Sequence, residues 1–314
     1  MTAGSRDRPA RRIGLGTAQL GGDYGITNVR GRVAEEEAVA IFALAAEHGI
    51  DTIDTARLYG ESEAVVGRYL PAGPDFRIVT KTAKARAADP AAAAEQIRAG
   101  LAVSLKALRR ASVDGLLVHD PGDLLGSRGD ALWSCLERLK ADGLAARIGV
   151  SVYHAHEIDR ILDRYPIDII QLPFSAVDTR LADGGQLGRL AQTGVEVHAR
   201  SLFLQGLLLA PADDIPDRFA PVRAAVRQLD AQFSRQGLSR LEGLLAMAFS
   251  HAEIDRFVVG VTSAAELNAI IVASRAASRV KDLQVPALAG IDERLLNPAR
   301  WGEIGERTGK KGGQ

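Results

Sequence analysis

Four side chains spread along the chain form a set suited to acid–base chemistry. Asp54 and Tyr59 lie in Asp-Thr-Ala-Arg-Leu-Tyr-Gly, Lys81 in Ile-Val-Thr-Lys-Thr, and His119 in Leu-Leu-Val-His-Asp-Pro. A phenol with an ordinary pKa near 10 is a poor proton donor at neutral pH. An ammonium beside it stabilises the phenolate and lowers that pKa. Lys81 is the cation for this task, and Asp54 the carboxylate that would hold it in place and charged. His119 offers a hydrogen bond to a substrate oxygen. Such a set suits delivery of a proton to an oxygen that gains charge, as when hydride adds to a carbonyl; a well-matched acid contributes roughly 10²–10⁴ in rate. Each residue taken singly has a plainer reading. Asp54 reads as an N-cap or loop residue, Tyr59 as a half-buried packing aromatic, Lys81 as a solvated strand end and His119 as a turn residue. The case rests on their occurring together.

What must position them is a series of strand ends. Asp54, Lys81 and His119 each close an apolar, β-branched run, the pattern of a buried parallel strand that delivers a side chain to its C-terminal edge. Strands are predicted over 12–16, 52–54, 77–81, 113–119, 146–150, 167–171, 195–199 and 257–259. Helical periodicity falls between them over 35–48, 62–70, 90–108, 129–142, 155–165, 186–193, 239–251 and 264–273. Eight strands, each followed by a helix, predict an α/β fold of the (β/α)8 TIM-barrel type, whose active sites form at the C-terminal rim. A doubly wound sheet is the alternative, but it usually carries a Gly-rich phosphate turn after the first strand, and no GxGxxG or Walker motif is present. Gly49, Gly143 and Gly194 each stand between a helix and a strand, the expected C′ position. Asp89 before Pro90 reads as an N-cap. An extra helix is expected over 222–233 after the seventh strand. The predicted organisation is a flexible 1–11, one barrel domain over 12–300 and a flexible tail over 301–314.

The chain has 314 residues, with 39 basic and 39 acidic side chains, so formal charge is zero. That balance argues against a nucleic-acid face or a polybasic membrane patch. The single cysteine, Cys135, excludes an intramolecular disulfide and a cysteine metal site. It lies on an apolar helical stripe and reads as a packed core thiol rather than a nucleophile. No metal site is expected. The basic, polar first twelve residues lack a following apolar run, so no signal peptide is read there. No apolar run of about 18 residues suggests a membrane span, and a cytoplasmic location is expected. The sequence carries no signal for oligomeric state.

With these motifs in place, the chain from about residue 13 to about 273 resembles the aldo-keto reductases. The resemblance implies a β/α barrel that reduces a small-molecule carbonyl with a nicotinamide cofactor, usually NADPH, through a tetrad matched by Asp54, Tyr59, Lys81 and His119. It implies that Gly16, Thr17 and Asp54 lie beside the nicotinamide and that Ser151 and Gln171 bind its carboxamide. Where the family often has Ser-Asn, this chain has Ser151-Val152. Where the family often has a Tyr that stacks on the nicotinamide, this chain has Arg200. A guanidinium is planar and lies well against a ring; against oxidised nicotinamide, itself cationic, it is unfavourable, which biases the site toward the reduced form. The plainer alternative sends Arg200 to a phosphate or a substrate carboxylate. Ser201, Leu202, Gln205 and Gly206 are implied at the pyrophosphate. Gly260, Val261, Thr262 and Glu266 open a helix whose N-terminus suits a phosphate. Family members that hold a 2′-phosphate often carry Lys or Arg there and this chain does not, so NADH stands as the second cofactor candidate.

The leading function is reduction of an aldehyde or ketone, including a sugar-like carbonyl. A non-catalytic subunit of the same fold that senses cofactor redox state is the alternative. A Schiff-base barrel enzyme using Lys81 is a third, although it has no need of Asp54 and Tyr59 at this spacing. Specificity in a barrel is written in the βα loops. The short loop 120–128 predicts a mouth open to a bulky polar substrate, with Tyr24, Arg57, Phe174, Phe203 and Trp301 as candidate wall residues.

Overall fold

The β-branched and apolar runs form eight parallel strands that close on themselves in sequence order. In the computed structural model, which describes residues 9–71, 76–288 and 290–303, the strands are β1 (Ile13–Gly16), β2 (Thr52–Asp54), β3 (Arg77–Lys81), β4 (Val113–Val118), β5 (Ala145–Ser151), β6 (Ile169–Pro173), β7 (Glu196–Arg200) and β8 (Arg256–Gly260). β1 pairs with both β2 and β8, which completes the barrel. Helices Glu35–Glu47, Ser62–Tyr69, Pro90–Leu108, Gly129–Ala141, Ala155–Leu162, Gln186–Thr193, Arg240–Ser250 and Ala264–Ala277 follow the successive strands, with an additional helix Ala220–Arg235 after β7. The fold is the expected (β/α)8 TIM barrel.

Local chemistry explains the joints. Gly49, Gly143 and Gly194 have φ of 72°, 74° and 73°, the left-handed turn by which a helix hands the chain to the next strand. Asp89 accepts from the Ala92 N–H at 2.7 Å and Pro90 opens the helix. At the N-terminal rim, Asp114, Asp168 and Asp255 accept from the amides of Ile78, Ile148 and Val197 at 2.8, 3.0 and 2.8 Å, so each pins its neighbouring strand.

Some boundaries differ from the sequence reading. Arg12 does not open β1. It ends a 3₁₀ turn, Pro9–Arg12, and its guanidinium reaches the carbonyls of Phe249, His251 and Ile254 at 2.7–2.8 Å. β6 runs two residues later than expected, because Gln171 is fully buried within the strand rather than marking its end. Loop 120–128 contains a short helix, Pro121–Leu125. The segment Pro298–Glu303 forms a 3₁₀ helix, and Trp301 is 8% exposed. Residues 1–8 and 304–314, where the sequence reading placed most of its flexible termini, lie outside the described residues.

Candidate active site

The strand ends bring the tetrad together at the C-terminal rim. Asp54 is the last residue of β2 and Lys81 the last of β3. Lys81 is 1% exposed, and its Nζ donates to Asp54 Oδ1 and Oδ2, both at 2.8 Å, and to the Thr55 carbonyl at 3.0 Å. Three donors therefore meet three acceptors. Burial pushes Lys81 below its ordinary pKa, while Asp54 opposes the shift by charge and hydrogen bonding.

Tyr59 sits on the turn between β2 and the helix Ser62–Tyr69. That turn packs backbone to backbone on the short helix Ala18–Gly21. A Cβ at Gly60 would lie 2.3 Å from the Gly21 carbonyl, and φ at Gly60 is 55°. Ser62 Oγ donates to Thr17 at 2.6–2.9 Å, and Thr17 Oγ1 donates to the Asp54 carbonyl at 2.9 Å. These hydroxyls brace the turn against the ends of β1 and β2. His119, one residue past β4, meets the Tyr59 ring edge-on at 5.9 Å.

The electrostatics depart from the sequence expectation. Lys81 commits its donors to Asp54 and Thr55, and its Nζ lies 5.1 Å from the Tyr59 ring centroid. The Tyr59 phenol is raised above its ordinary value, first by burial and then by the charge of Asp54, and the cation that pulls it back down is Arg200. His119 is lowered to about 4 by burial and then by the charges of Lys81 and Arg200, so its imidazole is neutral near pH 7.

A cavity of about 970 Å³ opens over these groups. Its wall contains Asp54, Tyr59 and His119, and also Gly16, Thr17, Ser151, Gln171, Arg200, Ser201, Leu202, Gln205, Gly206, Gly260, Val261, Thr262 and Glu266. Lys81 lies behind the wall. Tyr24 and Phe203 line the cavity, whereas three other candidate wall residues do not. Phe174 is 1% exposed and packs edge-on against His251 and Phe257. Trp301 stacks edge-on against Phe219 and donates Nε1–H to the Leu295 carbonyl at 2.9 Å, which anchors the C-terminal segment. Arg57 is absent from the wall, and its amide donates to the Lys81 carbonyl at 3.2 Å.

Among the wall residues that went unforeseen are Tyr153, Gln19, Thr27 and Arg30. Tyr153 matters most. The Arg200 guanidinium lies 3.9 Å from its ring centroid and donates to the Val152 carbonyl at 3.0 Å. Val152 itself is fully buried. The two departures at Val152 and Arg200 are thus one local arrangement. No carboxylate among the described residues pairs with Arg200.

The loop after β7 carries Ser201, Leu204 and Gln205 at φ of 65°, 47° and 51°, followed by Gly206 at 89°. Non-glycine residues in this region hold strain that clusters at ligand-facing loops. Thr27 Oγ1 donates to the Gln205 carbonyl at 2.9 Å, and Ile26 N–H to Gln205 Oε1 at 3.1 Å, so the loop after β1 braces it.

The wall fits a nicotinamide cofactor. Gln171 donates Nε2–H to Asp54 Oδ1 at 2.7 Å, which leaves its buried Oε1 unpartnered; Gln19 Oε1 and His119 Nδ1 are unpartnered too. Buried polar atoms without partners call for a ligand or water.

The model of the aldo/keto reductase family matches residues 12–293. The chain belongs to this family. As an aldo-keto reductase it is an oxidoreductase that acts on carbonyls, and the family generally uses a nicotinamide cofactor. It is similar to an L-galactose dehydrogenase from Arabidopsis thaliana, 28% identical over 272 residues that cover 81% of each chain. Its fold is shared with an aldo-keto reductase from Bacillus halodurans solved in a holo form, at 21% identity, TM-score 0.67 and coverage of 88% of this chain and 93% of that one. A glycerol dehydrogenase from Gluconobacter oxydans shares it too, at 22% identity, TM-score 0.65 and coverage of 87% and 88%. Among the described residues of this aldo-keto reductase, no helix is long and apolar enough to cross a membrane.

Proposed function

We propose that this chain reduces an aldehyde or ketone to an alcohol, with Tyr59 as the proton donor. The observation that carries the reading is the coincidence of Asp54, Tyr59 and neutral His119 on the wall of one cavity, with Lys81 buried behind it and paired to Asp54. A reduced nicotinamide, held at Ser151, Gln171 and the loops after β7 and β8, supplies the hydride when bound. His119 hydrogen-bonds the substrate oxygen and fixes its direction. Tyr59 passes its hydroxyl proton to that oxygen as it gains charge, and the resulting phenolate is reprotonated from solvent. Arg200 supplies the positive charge that opposes the upward push on the Tyr59 phenol. Lys81 and Asp54 give the turn a rigid, charge-balanced backing.

A polyhydroxylated carbonyl, sugar-like in character, is the substrate class we favour. The similar Arabidopsis protein is an L-galactose dehydrogenase, and the cavity mixes aromatic walls at Tyr24, Tyr153 and Phe203 with polar groups that have no partner. The test is Tyr59→Phe assayed on a panel of aldehydes and sugars. Turnover should fall by roughly 10²–10⁴-fold while dinucleotide binding by calorimetry persists. A wild-type chain that binds dinucleotide yet turns over none of the panel would point to the cofactor-sensing alternative.

A further inference from the structure

In the stretch leaving β8, on the cavity wall, the chain's own carboxylates hold backbone and hydroxyl donors. Thr262 N–H donates to Glu266 Oε2 at 2.7 Å, and Thr262 Oγ1 to Glu266 Oε1 at 2.7 Å. Ala264 N–H donates to Glu37 Oε1 at 2.6 Å, and Glu266 N–H to Ser263 Oγ at 3.2 Å. Within the first turn, the Ala264 and Glu266 amides are therefore already engaged, and just before it a glutamate also holds the Thr262 amide. Residues 260–270 contain no lysine or arginine.

We propose that this chain selects NADH over NADPH, with Glu266 as the residue that excludes the 2′-phosphate. The inference rests on the reading that a dinucleotide fills this cavity with its adenosine end against the stretch after β8. A ribose phosphate carries about −1.5 to −2 charges near neutral pH and needs cations or free N–H donors. Here it would meet a carboxylate instead. A ribose bearing free hydroxyls meets the same carboxylate as an acceptor, which is how an acidic side chain recognises the unphosphorylated cofactor in other dinucleotide sites. Glu37 reinforces the preference by occupying the Ala264 amide. The cations on the cavity wall are Arg30, from the loop after β1, and Arg200, at the end of β7. Neither belongs to this stretch.

Calorimetric titration of the full chain with NADH and with NADPH tests the proposal apart from turnover. Wild type should bind NADH at least about tenfold more tightly, as expected for a carboxylate close to a phosphate dianion in a solvated setting. Glu266→Arg should reverse the order, and Glu266→Gln should narrow the gap mainly by strengthening NADPH. Glu37→Gln, on a different helix, should narrow it less. Equal or tighter NADPH binding by wild type overturns the proposal, and if Arg30→Ala then abolishes NADPH binding, Arg30 is the phosphate partner. Binding of neither dinucleotide removes the cofactor reading itself and this proposal with it.

Discussion

The two ends of the barrel each gather a charged cluster, buried at the C-terminal rim and half-buried at the N-terminal one. At the C-terminal rim, Asp54 holds Lys81 and receives Gln171 Nε2–H. At the N-terminal rim, Glu196 receives His198 Nε2 at 2.9 Å, Arg147 at 3.3 Å, and Arg77. Both clusters also leave buried polar atoms without partners: Gln171 Oε1 above, His198 Nδ1 and Arg77 Nε below. What separates them is access. The upper cluster backs the large cavity, and none of Arg77, Arg147, Glu196 or His198 lines it. A charged cluster with buried, unpartnered atoms is therefore not enough to mark a site. Their coincidence with a cavity at the C-terminal edge is what sets the upper cluster apart, in keeping with where barrels build active sites.

The sharpest way to break this comparison is to damage both clusters alike. Removing one partner of a buried pair costs about 3–5 kcal/mol, because the other is left unmatched. Asp54→Asn should lose stability of this order in urea titrations, and Glu196→Gln, in its half-buried cluster, should lose less. Only Asp54→Asn should also lose turnover, by about 10²-fold or more, at temperatures where both variants are folded. A comparable kcat loss in Glu196→Gln would mean that the lower cluster reaches the chemistry.

Acid should dismantle the two ends in sequence. His119 is depressed from 6.5 to about 4. Between those values the unfolded chain takes up a proton that the folded one refuses, so stability is full above about pH 6.5 and declines toward pH 4. Glu196 is held at about 2: burial pushes it up, but hydrogen bonding from His198 and the charges of His198 and Arg77 prevail. Its contribution is present above the ordinary carboxylate range and is lost as pH falls toward 2. Each step is worth at most about 3 kcal/mol by linkage. Urea midpoints measured from pH 7 to pH 3 should show the first decline disappear in His119→Gln and the second in Glu196→Gln. A single decline common to both variants would contradict the separation.

How much of this the sequence announces depends on where the chain is regular. Asp54, Lys81 and Gln171 were legible because each is a polar residue set in or ending a buried apolar strand, and strand alternation fixes its direction. Past the strand ends that rule lapses. Phe174 follows β6 and turns into the helical layer instead of the cavity. Trp301 turns into a 3₁₀ corner. Tyr153 lies two residues beyond Ser151 and enters the wall, with no motif to flag it. The path after β7 depends on left-handed conformations at Ser201, Leu204 and Gln205, residue types that rarely adopt them. The packing of the loop after β1 is what sustains them. Such positions are decided by tertiary contacts, so pattern alone places them on a loop without saying which way they face.

Arg200 gives the comparison its finest test. At the lower end each of these arginines has a carboxylate within ion-pair distance: Arg77 and Arg147 share Glu196, and Arg256 lies 3.7 Å from Asp51. At the upper end Lys81 is balanced by Asp54, but Arg200 rests on the Tyr153 ring with no carboxylate among the described residues within ion-pair distance. The upper rim thus carries a surplus positive charge beside Tyr59. That surplus should disfavour the cationic oxidised nicotinamide relative to the neutral reduced ring, and two like charges near 4 Å repel by about 1 kcal/mol even in water. Arg200→Tyr should therefore improve binding of the oxidised cofactor relative to the reduced one by about fivefold. Calorimetry with both forms checks this, and an unchanged ratio would assign Arg200 to a phosphate or a substrate carboxylate instead. Arg200→Lys separates charge from shape. It keeps the repulsion but loses the planar stack on Tyr153, so a ratio that stays near wild type in the lysine variant and shifts in the tyrosine variant identifies the charge as the cause.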